Sequence, residues 1–229
     1  MNSGEVAARP GRDERLLAHL GLYHVSLRPI LERLFFDGAD ARNVLGRLAA
    51  AGRIRSRPLR GGPLRLYQLT AAEAATRGLP HRAHPLGSRA LAEALAVLWF
   101  AACDEPLRYR LERPELEALL GTEPPHGPHV VEPGEPPRVY RVYVPGPQTR
   151  TTVIVKTLAR YAGALTANEI LASWMKNRLY AVAVLLDEGQ RRMRVDTVLR
   201  RTSLPLEVRT AYAPPPHALH DAVRKLRHG

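Results

Sequence analysis

Five arginines, Arg53, Arg55, Arg57, Arg60 and Arg65, fall within the stretch RIRSRPLRGGPLRLYQLT that runs from Arg53 to Thr70. A guanidinium stays charged at any physiological pH, and its planar fork of N–H groups meets the oxygens of a phosphate two at a time. Set at alternating positions about a Gly-Gly-Pro, such forks suit a polyanion. Just upstream, ADARNVLGRLAAA over 39–51 places Arg42, Asn43, Gly46 and Arg47 on one side of a helical wheel and Ala41, Val44, Leu45 and Leu48 on the other. Arginine addresses guanine edges bidentately and asparagine addresses adenine the same way. The chemistry implied is recognition of double-stranded DNA, with Arg42, Asn43, Arg47, Arg53, Arg55, Arg57, Arg60 and Arg65 as the contact set.

Groups that break bonds are scarcer. The nine histidines include pairs three residues apart, His81 and His84, His126 and His129, His217 and His220, in proline-rich segments. No Cys or carboxylate accompanies them at zinc-ligand spacing, so they read as polar loop residues and not as a metal site. Cys103 is the single cysteine, which leaves no disulfide within one chain. No Gly-rich loop ends in Lys-Ser or Lys-Thr, and no G-x-S-x-G elbow occurs. The expectation is a binding protein with no catalytic residue, metal or cofactor.

Composition supports the polyanion. The net charge is +12, almost wholly from arginine, which raises the rate and strength of association with nucleic acid. It is unevenly spread: residues 1–80 hold 13 Arg against 7 acids, 81–136 hold 5 against 9, and 137–229 hold 16 basic residues against 6. Two basic bodies thus flank an acidic middle. At 229 residues the chain is long enough for two small cores. The longest apolar run, Ala90 to Ala102, contains Glu93 and is too short to span a bilayer, and MNSGEVAARPGRDER lacks a signal core. A cytoplasmic protein without membrane contact is expected.

The elements that must position the arginines follow from period and caps. A first helix starts near Asp13 (DERLLAHLGL). A second, SLRPILERLFF, is capped by Ser26, carries Pro29 in its first turn and ends at Gly38. The third is the 39–51 helix, stopped by Gly52. Arg53–Arg57 and Leu64–Leu69 alternate about the turn LRGGP, with Ile54, Leu66 and Leu69 expected to face the core. Thr70 caps a short helix, TAAEAATRGL. Three helices followed by a hairpin is the order of a winged helix-turn-helix, whose third helix enters the major groove while the wing follows the backbone.

The third helix ending in LAAAGRI and the hairpin closing on LYQLTAAEA resemble the start of the replication-relaxation family of bacterial plasmids and integrative elements. Gly52-Arg53-Ile54, Tyr67, Leu69, Thr70 and Gly78 carry the likeness. Further on, the His84–Cys103 helix and the run from Lys156 to Tyr161 echo later family elements. The resemblance implies a transcriptional regulator or a replication or transfer factor of a mobile element. It also implies that the C-terminal region is a degenerate restriction-endonuclease-like fold.

An active nuclease of that type needs a carboxylate, then an acid two residues before a lysine on the next strand. RVYRVYV has no acid, Ile154 stands two before Lys156, and Glu132 and Glu135, in a Pro/Gly loop, supply only the first requirement. A metal-dependent nuclease with an atypical site, or a DNA-targeting subunit of a multiprotein complex such as a defence system, are the alternatives.

Beyond residue 80, HRAHPLGSRAL reads as a linker, and Ser88 caps an apolar helix to Ala102. A strand LRYRL, a short helix PELEALL, a proline-rich acidic loop and the strand RVYRVYV follow. Helices over 151–164 and 168–177 lead to LYAVAVLLD, a strand apolar enough to be buried on both faces. An arginine-rich helix with Arg191, Arg192, Arg194, Arg200 and Arg201, the strand LEVRTAY and a terminal helix complete the chain. The expected class is α+β: a winged helix-turn-helix over 1–80, a linker and apolar helix over 81–106, and an α/β sandwich over 107–229. The last would dimerise the protein or recruit a protein partner.

Overall fold

The computed structural model describes residues 11–60 and 62–226, without the side chain of Leu226. Most of the stretch read for a signal core, and the last three residues of the chain, read as part of the terminal helix, lie outside them. The chain is α+β and falls into two units, Met1–Pro58 with Leu64–Pro85, and Leu59–Pro63 with Leu86–Gly229.

The first unit runs α1 (Arg12–Tyr23), β1 (Ser26–Leu27), α2 (Arg28–Phe35), α3 (Arg42–Ala50), β2 (Ile54–Pro58), β3 (Arg65–Leu69) and α4 (Ala71–Thr76), then a 3-10 turn over Pro80–Ala83. Its strands form an antiparallel sheet in the order β1-β3-β2. Leucines at helical spacing bring Leu16, Leu17 and Leu20 of α1 together with Leu31, Leu45, Leu48, Ile54 and Leu69 in one core. Gly21 lies against Leu79, whose Cδ1 would be 3.0 Å from an added Cβ.

Ser26 is not a helix cap. It pairs with Tyr67 in β1, its hydroxyl lies 3.1 Å from His19 Nε2, and α2 starts two residues later with Pro29 in its first turn. α3 starts at Arg42 and not at 39, because Asp40 Oδ1 accepts the Arg42 N–H at 2.8 Å and closes a local turn in place of a further helical one. Thr70 does cap α4, accepting the Glu73 N–H at 3.3 Å.

The first helix of the second unit is α5 (Ser88–Ala102), whose N-cap is Gly87 and not Ser88. It continues with α6 (Arg113–Leu120), β4 (His129–Glu132), β5 (Arg138–Tyr143), α7 (Thr151–Thr166), α8 (Glu169–Lys176), β6 (Tyr180–Leu186), α9 (Gly189–Arg200), β7 (Glu207–Tyr212) and α10 (Leu219–Leu226). The sheet order is β4-β5-β6-β7, antiparallel at β4/β5 and parallel from β5 to β7.

Every residue of β6 is buried, as expected for a strand between two parallel neighbours with both faces covered. Val182, Val184 and Leu186 join Leu158, Ile154 and Val195 from α7 and α9 in one core, and Phe100 of α5 meets Tyr140 edge-on at 5.8 Å. Two sequence expectations fail here. LRYRL makes only one bridge, Tyr109 to Val131, because its polar residue Arg108 points inward while Leu107 and Tyr109 stay exposed. The supposed loop before RVYRVYV contains β4, whose Val130 and Val131 are fully buried.

Leu158 is wholly buried and Lys156, two residues earlier, is exposed. Leu158→Ala should cost about 2–5 kcal/mol and Lys156→Ala less than about 0.5 kcal/mol, measured by urea unfolding followed by circular dichroism.

Candidate nucleic-acid interface

α3 is fixed at both ends. Before it, buried Glu32 of α2 accepts the Ala41 N–H at 3.3 Å and pairs with Arg28 at 3.3 Å. After it, Gly52 takes φ +68°, the left-handed conformation that glycine adopts without penalty, and Arg53 N–H returns to Leu48 O at 3.0 Å. With Ala41, Leu45 and Leu48 buried, the exposed side of α3 is Arg42, Asn43, Gly46, Arg47, Ala49 and Ala50. It is a small-residue surface bearing two guanidiniums and an amide.

Both guanidiniums are held by acids, Asp40 exposed and Asp13 half-buried. Arg42 Nε donates to Asp40 Oδ2 at 2.6 Å, and Arg47 Nη2 donates to Asp13 Oδ2 of α1 at 2.6 Å. The Arg42 N–H and guanidinium hold the Asp40 carboxyl below the usual carboxylate range. The Arg42–Asp40 pair lies in water and contributes little, so a phosphate oxygen can replace that carboxylate at little loss.

The hairpin divides its arginines. Register pairs Ile54 with Leu69, Arg55 with Gln68, Ser56 with Tyr67, Arg57 with Leu66 and Pro58 with Arg65. Side chains alternate along a strand, so Ile54, Tyr67 and Leu69 share one face while Arg55, Arg57, Leu66 and Gln68 share the other. Leu66 and Leu69, three apart, cannot both point to the same core. Leu66 is buried on the opposite face, outside the cluster that holds Ile54 and Leu69.

That opposite face is covered by the chain around the 3-10 turn. Gln68 Nε2 donates to the carbonyls of Arg82 (3.2 Å) and His84 (3.0 Å), and Arg55 Nη2 donates to Ala83 O. Arg55 is therefore tied down at one nitrogen, and Arg57 is half-buried beside it. Arg65 donates to Ser56 Oγ at 3.0 and 3.2 Å, and Arg60 is exposed at the hairpin tip.

Arg53 does not point outward as expected. Its Nε and Nη2 donate to both oxygens of Glu73 at 2.9 Å, and Nη2 also reaches Glu14 at 2.9 Å; Arg77 closes the ring by donating to Glu73 Oε1 at 2.6 Å and to Glu14. The four groups tie α1, the root of β2 and α4 together. The Arg53 hydrogen bonds hold the carboxyls of Glu14 and Glu73 below their ordinary range, and the Arg53 guanidinium is pushed further up. Sequence reasoning missed Glu14, Glu73 and Glu32; for Glu32 and Glu73 the available signal was an acid four residues from an arginine, and for Glu14 there was none of that kind.

In the second unit Glu132, one of the two acids considered for catalysis, is held by an arginine, while Glu135 is exposed. Glu132 lies in β4 and receives Arg108 Nε at 3.0 Å, and the same guanidinium reaches Asp104 at 3.2 Å and Phe100 O at 3.1 Å and stacks 4.3 Å over the Phe100 ring. Asp187 at the end of β6 is paired with Arg191 at 3.0 Å, and Lys156 stands on helix α7, not on a strand. Among the described residues no three His, Cys, Asp or Glu side chains gather as a metal site.

His129 donates or accepts at Tyr180 Oη (2.8 Å) and Gly127 O (3.1 Å); burial first, and the Arg141 charge second, hold its pKa down at about 4. The carbonyl partner requires Nδ1–H, which leaves Nε2 to accept from Tyr180. Arg141 lies 3.5 Å over Tyr161 in a cleft of about 310 Å³ with His126 and Pro125. Of the arginine-rich helix, Arg191 is bound to Asp187, Gly146 O and Thr149 O, while Arg192, Arg194, Arg200 and Arg201 are exposed.

Comparison with protein-family models, with curated proteins and with solved structures finds no match for this chain. No helix among the described residues is long and apolar enough to cross a membrane.

Glu73→Gln removes one charge from the ring and should destabilise the first unit by about 1.5–3 kcal/mol at pH 7. Because the folded-state pKa of Glu73 lies below its ordinary 4.5, its contribution is present above that pH and is lost as pH falls through the folded value. Urea midpoints of wild type and variant should therefore be well separated at pH 7 and draw together as pH falls below 4.5.

Proposed function

We propose that the first unit is a winged helix-turn-helix that binds double-stranded DNA. The order helix, strand, helix, helix, two-stranded hairpin supports it. The observation that carries the reading is the outer face of α3: Arg42, Asn43 and Arg47 are exposed together among small residues, and the acids that hold the two guanidiniums are the exposed Asp40 and the half-buried Asp13, which phosphate can replace as partners. In this reading α3 enters the major groove with Asn43 on a base edge. Arg60 and Arg65 of the hairpin follow the backbone, and Arg53 belongs to the fold rather than to the interface.

The second unit serves, in the same reading, as a dimerisation or partner-recruiting domain. Its restriction-endonuclease-like ancestry is proposed without catalysis, since Glu132, the one of the two candidate carboxylates that lies on a strand, is bound by Arg108. The resemblance of LAAAGRI and LYQLTAAEA is what supports a role in transcription, replication or transfer of a mobile element.

Fluorescence anisotropy on labelled duplex tests the reading. Four guanidiniums on phosphates, Arg42, Arg47, Arg60 and Arg65, give a slope of log K against log salt near about −3.6, and Arg47→Ala reduces it by about 1. Asn43→Ala should cost about 1–3 kcal/mol on a preferred sequence selected from a random pool and little on non-specific duplex. Absence of duplex binding by wild type at low salt defeats the proposal.

A further inference from the structure

The two edges of the second unit's sheet are treated differently. β4 is short, and Tyr109 bridges its outer side, exchanging backbone hydrogen bonds with Val131 at 3.0 and 2.7 Å. β7 has six residues and no strand beyond it among the described residues. Ala213 N–H donates to Leu186 O, so by alternation Glu207, Arg209 and Ala211 also turn their backbone groups to β6, while Val208, Thr210 and Tyr212 turn theirs outward. Those outward N–H and carbonyl groups have no hydrogen-bond partner among the described residues. Such an edge is a template for another extended chain, and the usual guards are missing. The strand carries no proline, lysine or bulge, and its charged side chains, Glu207 and Arg209, are tied to Arg138 and Asp104.

Beside this edge lies a groove of about 430 Å³ whose apolar lining is Leu199, Leu204, Leu206 and Val208. Its one acid, Asp196, accepts a hydrogen bond from Thr210 Oγ1 at 2.6 Å. The cations are open. Arg192 and Arg200 stand one turn to either side of Asp196 on α9, and with Arg194 and Arg201 they are exposed and make no ion pair among the described residues. An occupant must therefore pair a row of alternating donors and acceptors, cover an apolar groove and bring negative charge. A phosphate backbone meets only the last demand, because it has no donor for the outward carbonyls. A second copy of this chain brings the same arginines and adds like charge. An extended peptide with acidic side chains meets all three demands.

We propose that the β7 edge and the groove beside it bind an extended acidic segment of a partner protein, which joins the sheet as a further strand. The six residues of β7 span about 20 Å, at about 3.3 Å per residue. Apolar side chains of the segment cover Leu199 and Val208, and acidic ones meet Arg192 and Arg200. The proposal rests on the reading of the second unit as a partner-recruiting domain, to which it gives a surface and a partner chemistry. It does not depend on DNA binding by the first unit.

Fluorescence anisotropy of the full chain with the labelled peptide Glu-Glu-Val-Glu-Val-Glu-Glu tests it. Wild type should bind this peptide and not the one with Lys in place of every Glu. N-methylation of one alternate set of peptide residues should weaken binding more than about tenfold, and of the other set should leave it unchanged, because only one set turns its N–H groups to β7. Arg192→Glu combined with Arg200→Glu should reverse the preference between the acidic and basic peptides. The proposal is overturned by no binding of the acidic peptide to wild type, by equal effects of the two methylation patterns, or by an unchanged preference in the double variant. The methylation arms decide even if that variant fails to fold. A single-stranded oligonucleotide of the same net charge that displaces the peptide gives the edge to nucleic acid, and a wild-type dimer that the peptide dissociates gives it to a second copy; either result also overturns the proposal. Failure of the peptide in a chain that still dimerises removes this surface and not the domain's broader role.

Discussion

The ring of Glu14, Arg53, Glu73 and Arg77 is the interaction on which the arrangement of the first unit turns. Arg53 is the residue that follows Gly52 at the end of α3 and precedes β2, so its guanidinium fixes the corner where helix becomes strand. Two carboxylates from α1 and α4 meet two guanidiniums, and each charge has an opposite neighbour within hydrogen-bond reach. Partly buried charge is tolerable only in such a closed set, since removing one member leaves the others desolvated and unmatched. The ring sets the direction in which α3 and the hairpin leave the corner. That decides which arginines face water.

Charge in this chain is consequently divided between two uses. Arg53, Arg77, Arg108 and Arg191 are internal: each satisfies carboxylates or carbonyls of the fold. Arg42, Arg47, Arg60 and Arg65 remain at the surface, where their contacts are weak enough to be exchanged. A count of arginines cannot make that distinction. In the second unit the same logic places Arg108 between the Phe100 and Tyr140 rings, a cation held in an apolar setting by aromatic faces as well as by Asp104 and Glu132.

What was legible in the sequence was whatever depends on period and local hydrogen bonding. The leucine spacing of α1 and α3, Gly52 as a stop, Thr70 as a cap and the continuous apolar run of β6 all follow from neighbours a few residues apart. The inward turn of Arg108 depends on Glu132, and the pairing of Ser26 depends on Tyr67, partners far along the chain that no local pattern announces. β4 hid because prolines and glycines on both sides dominate its short apolar core. The misplaced Leu66 was available in principle: strict alternation already separates 66 from 69. Of the eight residues chosen as DNA contacts, the three on α3 keep the exposure expected of them, as do Arg60 and Arg65; Arg53 and Arg57 are half-buried, Arg53 held by partners at positions 14 and 73, and Arg55 stays exposed with one nitrogen on Ala83 O.

Amide hydrogen exchange of the full chain, with and without a saturating duplex, tests the central claim most directly, because it locates the contact without altering a residue. The account predicts new protection in the first turns of α3, around Arg42–Arg47, and at the hairpin on either side of Arg60 and Arg65. Protection confined to the second unit, or none on α3 while the duplex is demonstrably bound, would contradict it.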